Sequence, residues 1–411
     1  MEPLAAKHEG RRPEVHGVKL SLRVCLGLFL CLQALGYAQR GAGNADLGRT
    51  GSASSPHAFV GKPVSIAELQ QLLKLDEKKR DSAAARELFG LRLTERLSRP
   101  RLGSLKAALP GPRAIEALVA LADASAFLRP PEAEIPAGPA PNLAEERRIV
   151  ALMVDYLGRT VPKLPNFYAT RTTAHYDDTE EDENRPGVSL YSGEPLHWAG
   201  VSSATVIYSN GKEVVDPGPL KRKQPNLEEM GLVTTGTFGP ILATVVGDAS
   251  RSQMAFSHWE QGNDGPVAVF RVAVLKGKSH YLVAYRSPSQ TQATEQPVAY
   301  HGEVSIDPAT GTILRVTVQA DFEPDVEIVR ADIMVEYGSV DIGAKSYICP
   351  VKSVSLSQGR CRVVVKNAIG FTSRLGPEIT RLNDVTFGNY HVFRAEVRVL
   401  TGDDPASDDK P

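Results

Sequence analysis

Residues 298–356 read VAYHGEVSIDPATGTILRVTVQADFEPDVEIVRADIMVEYGSVDIGAKSYICPVKSVSL. Leu314, Val316, Val318 and Ala320 alternate with Arg315, Thr317 and Gln319. That period of two places the apolar side chains on one face of a strand. Ala331, Ile333, Val335 and Tyr337 repeat the pattern against Arg330, Asp332 and Glu336, while Met334 breaks the polar row. Between strands at 303–306 and 312–320 lies Asp307-Pro308-Ala309-Thr310-Gly311. Proline fixes φ early in such a connection and glycine accepts a positive φ at its end. The stretch therefore reads as consecutive antiparallel strands that hide one face and wet the other. The hidden face must cover a partner: a helix, a second sheet or a ligand.

Similar patterns extend outward in both directions. Toward the C-terminus, a tight turn at 357–360 leads to strands at 361–366 and 380–387, and Gly388-Asn389 turns the chain into a last strand at 390–400. In that strand Phe393, Ala395, Val397 and Val399 alternate with Arg394, Glu396 and Arg398. Toward the N-terminus, strands read at 253–261, 266–275 and 280–286, the second of them apolar on nearly both faces and so interior to a sheet. Residues 204–208 and 213–215 flank Asn210-Gly211, a pair suited to a type I′ hairpin. The first strand falls near 166–176, and the apolar run 238–247 is equally readable as a helix or a strand. Ten to twelve antiparallel strands are too many to stay flat, so they are expected to curl into a barrel, half-barrel or sandwich.

Helical spacing dominates before the sheet. Asn142 caps a helix with Glu145 at its third position, and Ile149, Leu152, Met153 and Tyr156 form its apolar stripe. A helix directly before a sheet is a natural cover for its apolar face. Farther upstream, Ile66, Leu69, Leu72 and Leu73 follow Ser65, a second helical pattern covers 82–97, and Ile115, Leu118, Val119 and Ala122 define a third that ends near Leu128. The expected class is α+β: an N-terminal helical segment, then a large curved antiparallel sheet, half-barrel or barrel, covered by a helix.

The chain of 411 residues has room for two or three domains. Lys19 and Arg23 precede a run of apolar residues at 24–35, and Gly36 and Ala38 offer a cleavage site after Ala38. This is the pattern of a secretory signal peptide over 1–38, and the run is too short to span a bilayer comfortably. The expected organisation continues with a Gly/Ala/Ser-rich tether at 39–63, a helical segment at 64–128, a linker with five prolines at 129–141, the β domain with its covering helix at 142–400 and a polar tail at 401–411. The expected location is exported, periplasmic or extracellular, with no transmembrane segment once the leader is cleaved.

Charge excludes little. Lys plus Arg number 47 and Asp plus Glu 48, a formal net charge of -1, so no basic excess draws the protein to nucleic acid. The acidic run 177–183 lacks the alternating spacing and central glycine of a calcium loop and reads as solvated. Removing the leader leaves Cys349 and Cys361, and two cysteines in an exported chain raise the question of a disulfide. With a tight turn at 357–360, Cys361 faces Leu356, and Cys349 lies roughly 23 Å farther along its strand. A bridge needs Cα atoms within about 7 Å. The bond between Cys349 and Cys361 is disfavoured.

GEVSIDPATGTILRV at 302–316, followed by VEYGSVDIGAKSYICPVKSV at 335–354, resembles uncharacterised exported bacterial proteins. More distantly the march of strands is similar to the lipoprotein-carrier superfamily. The resemblance covers about 143–400 and implies a curved open sheet wrapping helices around an apolar cavity. It brings no catalytic residues.

Motifs for chemistry are sparse. No Gly-x-Ser-x-Gly elbow and no phosphate-binding glycine loop with lysine is present. His258, Glu260, His280, His301 and His391 fall in or beside strands, and His258-Trp259-Glu260 puts two candidate metal ligands on one strand face. Trp198, Tyr208 and Trp259 are candidates to line an apolar pocket, although such residues more often simply fill a core. Two readings follow. One is a non-catalytic envelope module that binds a hydrophobic ligand, a protein segment or another envelope protein, without a cofactor. The other is a secreted hydrolase or metal-dependent enzyme using His258 and Glu260. The sequence favours the first.

Overall fold

The structure, a computed structural model, describes residues 60–75, 79–179, 192–210, 212–216, 231–232, 240–249, 251–286, 294–323, 327–367 and 370–392. The expected leader with its expected cleavage site after Ala38, most of the expected tether and of the acidic run, the end of the last expected strand and the expected polar tail lie outside the described residues. Among the described residues no helix is long and apolar enough to cross a membrane.

In chain order the elements are β1 (Lys62–Val64), α1 (Ile66–Leu75), α2 (Asp81–Phe89), β2 (Leu91–Leu93), α3 (Arg99–Lys106), α4 (Pro112–Ala124) and α5 (Leu143–Thr160). Then come β3 (Phe167–Thr179), β4 (Ser192–Ser209), β5 (Lys212–Asp216), β6 (Gly231–Leu232), α6 (Pro240–Ala249), β7 (Gln253–Gln261), β8 (Pro266–Val274), β9 (Leu282–Arg286) and β10 (Thr294–Pro297). The last elements among the described residues are β11 (Ala299–Ile306), β12 (Ile313–Asp321), β13 (Ile328–Ile342), β14 (Lys345–Asn367) and β15 (Gly370–Val392). Ten strands form one antiparallel sheet in the order β5-β4-β3-β15-β14-β13-β12-β11-β8-β7, curved and not closed into a barrel. The class is α+β, as the sequence leads one to expect.

The opening stretch supplies β11 to β14, a meander at the centre of that sheet. Gly311 has φ +77° where the β11–β12 connection closes, and Asp307 and Thr312 are bonded through Asp307 N–H to Thr312 O at 2.9 Å. A Cβ on Gly311 would lie 2.3 Å from the carbonyl carbon of Leu152, so this turn seats directly against α5. The helix starts where Asn142 Oδ1 accepts from the backbone N–H groups of Ala144 and Glu145, both at 3.0 Å. Ile149, Met153 and Leu157 of its stripe are buried, together with Ile241, Leu242, Val245 and Val246 of α6, on Phe270, Val304, Val316, Val318, Ile333 and Val335. Leu152 and Tyr156 flank the stripe, half-buried. This is the apolar core that the alternation requires.

The opposite face is not wetted as expected across its middle. Asp332, Met334 and Thr317 are buried at 3%, 4% and 4% exposure. Ala120 and Ala124 of α4, with Ala126 and Phe127 beyond it, pack on Met334, Val354, Leu356, Leu382 and Tyr176. Met334, the residue that breaks the polar row, marks the place where the helical segment covers this second face. The segment has its own apolar centre in Leu69, Leu88, Leu91, Leu93, Leu105 and Leu118.

Several boundaries differ from the sequence reading. β14 runs through 357–360 without turning, because β13 and β15 both continue past it, pairing Ile328 with Gly359 and Ser357 with Arg381. Cys349 and Cys361 therefore share one strand, about 40 Å apart at the usual rise, and Cys349 is a buried free thiol. Asn389, at φ +51°, forms a bulge inside β15 instead of a hairpin turn; the same left-handed residue serves either purpose. Gly90 ends α2 by donating to the carbonyls of Arg86 and Glu87, so the helical pattern over 82–97 stops early and Leu91–Leu93 pairs in parallel with β1. The strand at 280–286 is β9 of a separate three-stranded sheet with β10 and β6, and the ambiguous run at 238–247 is α6. The hairpin at Asn210 forms as read, with Ser209 opposite Lys212 and Asn210 at φ +52°.

Candidate functional site

His258 and Glu260 lie on β7, at one edge of the sheet, on the face covered by the helical segment. A bulge at Ser257 shifts the register so that His258 opposes Val269 and Glu260 opposes Val267. Strand alternation then aims both side chains the same way. His258 Nε2 and Glu260 Oε1 are hydrogen-bonded at 3.0 Å. The same carboxylate oxygen accepts from Arg96 Nη2 at 2.6 Å and from Arg315 Nη2 at 2.9 Å. Arg96 follows β2 in the helical segment and Arg315 sits on β12, so Glu260 joins parts of the chain 164 and 55 residues away. Burial works to raise the Glu260 pKa, but Arg315, the His258 hydrogen bond and Arg96 together hold the carboxyl well below the usual range. Burial, with repulsion from Arg315, lowers the Arg96 pKa.

Ser257 Oγ and His258 Nδ1 are also hydrogen-bonded, at 2.9 Å, completing a hydroxyl–imidazole–carboxylate chain. Such a chain is the beginning of nucleophilic catalysis. Here, however, two guanidinium groups already engage its carboxylate. Their charge also makes the place hostile to a metal cation, and among the described residues no group of three or more His, Cys, Asp and Glu side chains gathers to hold one. What the arrangement does is tie the helical segment to the sheet through a buried, hydrogen-bonded charge cluster.

The other histidines do not join it. His280 Nδ1 lies 2.5 Å from Asp248 Oδ1 of α6, His301 Nδ1 lies 2.9 Å from Asp321 Oδ1, and the His391 ring lies 5.2 Å from that of Tyr168. His175, which sequence reasoning did not single out, is buried on β3 between Asn383 at 2.9 Å and Ser202 at 2.8 Å. Its signal was weak: a histidine in a run of threonines looks like an ordinary strand residue.

The three aromatic candidates are also dispersed. Trp198 is 43% exposed and meets Tyr176 edge-on at 5.6 Å. Tyr208 is buried against Phe167, with ring centroids 5.2 Å apart. Trp259 contacts Phe256 at 5.1 Å, and its indole Nε1–H donates to Pro139 O at 2.9 Å. Trp198 and Tyr208 point to opposite faces of β4, and Trp259 stands at the other end of the sheet. None of the three lines either of the openings at the end of α5.

An opening does occur at the C-terminal end of α5. Leu157, Leu242, Ile313, Tyr337, Ile348 and Cys349 are among the residues that line an apolar cavity of about 20 Å³ between α5, α6 and the sheet. Burial pushes the Cys349 thiol up to about 12, which leaves it protonated and apolar in character. Tyr156 and Thr160 line both this cavity and an adjoining groove of about 530 Å³ bounded by Arg159, Lys163, Thr310, Thr312 and Tyr347. Thus a greasy interior meets a hydroxyl-rich mouth carrying Lys163 and the Arg159–Asp155 pair, an arrangement built by the end of α5, the turn after β11 and the start of β14. The sequence showed the α5 stripe and the Thr-Gly turn, but not that the turn lies beside the end of the helix.

Comparison with known proteins adds little beyond this geometry. No family model matches the chain, and no curated protein matches it. Among solved structures, a LolA superfamily protein, NE2245 from Nitrosomonas europaea, aligns with 62% of this chain and 97% of its own at 9% identity, with a TM-score of 0.24.

Proposed function

We propose that this is an exported, non-catalytic module of the cell envelope that holds the apolar part of an amphiphilic ligand, or of a protein segment, between α5, α6 and the sheet. The observation that carries the reading is the continuity of the apolar cavity with the wider groove through Tyr156 and Thr160. Ligand sites typically combine an apolar lining with a few placed polar groups. The cavity of about 20 Å³ has room for little more than a methyl group, so a longer chain enters by displacing Leu157 and Leu242. Lys163 at the mouth, beside an Arg159 that is paired with Asp155 at 2.6 Å, favours a ligand whose polar end is anionic.

Mass spectrometry of protein purified from its native envelope tests this. A bound apolar species is expected in the wild type and is expected to be lost in Leu157→Trp and Leu242→Trp, which fill the cavity. An empty wild-type protein, or undiminished binding in both variants, would sink the reading. Export is checked separately by sequencing the mature N-terminus, expected at Gln39. The Ser257–His258–Glu260 chain favours a second reading, a secreted enzyme. A serine-directed fluorophosphonate addresses it: labelling of Ser257 that disappears in His258→Ala would support the enzyme over the binding module.

A further inference from the structure

A second charge cluster lies apart from both places described above. Asp123 comes from the last turn of α4, Lys352 from β14 and Asp384 from β15, so the cluster spans the contact between helical segment and sheet. Lys352 Nζ lies 2.7 Å from Asp123 Oδ1 and 3.2 Å from Asp384 Oδ1. With every group ionised, two carboxylates divide one ammonium, leaving a surplus negative charge where Asp123 is only 4% exposed. Asp123 Oδ2 is buried without a hydrogen-bond partner among the described residues, and the equally buried Asp384 Oδ1 has the Lys352 ion pair but no bond of hydrogen-bonding geometry. An ionised carboxylate can only accept, so the two groups cannot satisfy one another unless one carries a proton. A single proton removes the surplus charge and supplies the missing donor.

We propose that Asp123 and Asp384 bind one proton between them, and that this shared proton fastens the helical segment to the second face of the sheet. The surrounding charges do not replace it. Arg99 of α3 is the next cation, but it is half-exposed and engages Glu336 of β13. Glu116 of α4 adds negative charge, Tyr176 of β3 is a neutral phenol whose ionisation burial opposes, and Arg315 of β12 is engaged by Glu260. Burial, opposed by Lys352 and reinforced by Asp384, pushes Asp123 up to about 7. Released from the sheet, the same carboxyl returns to about 3.9. A pKa raised in the docked form means stabilisation that is complete below about pH 4 and is lost as pH rises toward about 7.

Infrared titration of the full chain from about pH 5 to about pH 9 is the direct test. One buried carboxylic-acid carbonyl band is expected to fade near neutral pH. It is expected to vanish in Asp123→Asn and in Asp384→Asn alike, since each leaves a single carboxylate paired with Lys352. Between about pH 5 and about pH 7, the wild-type unfolding constant should rise about tenfold per pH unit relative to Asp123→Asn. A wild type with no such band, a band that survives both substitutions, or parallel stability profiles would overturn the proposal. Carboxyl-carbon NMR of aspartate-labelled wild type reads the same titration without relying on either variant to fold.

Discussion

The two faces of the main sheet are both covered, but by opposite physics. On the α5 and α6 side, Ile149, Met153, Val316, Ile333, Val335 and Phe270 meet in a mainly apolar contact, with the buried Asp248 of α6 held at its margin by Tyr300 and His280. On the other side a modest patch around Ala120, Ala124, Met334 and Leu356 is flanked by two buried charge clusters, one at Glu260 and one at Lys352. Apolar burial is non-directional and largely insensitive to pH near neutrality. A buried ion cluster holds only in one geometry and one protonation state, and removal of a member leaves its partners uncompensated. One face is therefore a permanent core. The other is a conditional contact.

Removal of Glu260 should break that contrast most sharply. Glu260→Ala strands Arg96 and Arg315 together in a buried site, and a loss of about 3–5 kcal/mol is expected in urea unfolding. Replacing all three by hydrophobic residues of similar volume should restore most of it; continued severe destabilisation would show that packing, not charge, is at fault. The acid branch of the pH profile checks the same residue. Because the folded state holds its pKa below the usual value, its stabilisation is present above about pH 4.3 and lost as pH falls further, and Glu260→Gln should flatten that decline. The Asp123 contribution has the opposite sign, so the charged face should dock best in mildly acidic solution.

Truncation of the apolar face sets the reference. Met153→Ala is expected to lose about 2–5 kcal/mol, and the loss should be nearly the same at pH values on either side of neutrality. A strong pH dependence there would erase the distinction between the faces. Gly311→Ala should lose about 1–3 kcal/mol, because the left-handed backbone and the contact with Leu152 both resist a Cβ; the measurement is again urea unfolding, with stabilisation as the contrary outcome. Asn142→Ala, which removes only the α5 cap, should lose about 1 kcal/mol, visible as a small drop in the thermal midpoint.

Much of the apolar face was legible beforehand. The alternation in 314–320 and 331–337, the Asp-Pro-Ala-Thr-Gly connection and the Asn142 cap each follow from local chemistry, and each forms. Local chemistry was misleading where a neighbour overruled it. Gln358-Gly359 has the composition of a turn, but flanking strands carry β14 through it, and Asn389 takes its left-handed conformation in a bulge. The Glu260 and Lys352 clusters were invisible for a simpler reason. Arg96, Asp123 and Asp384 lie far from their partners in the chain, and charged residues carry no periodic signature that would announce a mate. His258 and Glu260 were placed correctly on one strand face, but the arginines that take up the carboxylate could not be read.

What the sequence alone determined is the period-two sheet, its α5 cover and the turns of special backbone, because those depend on side-chain alternation and on the φ preferences of Gly, Pro and Asn. Tertiary structure decided that the sheet is covered twice, that it remains open, and which charges meet in its second contact. Those outcomes depend on elements distant in the chain coming within hydrogen-bonding range, where burial turns ordinary surface residues into interacting groups.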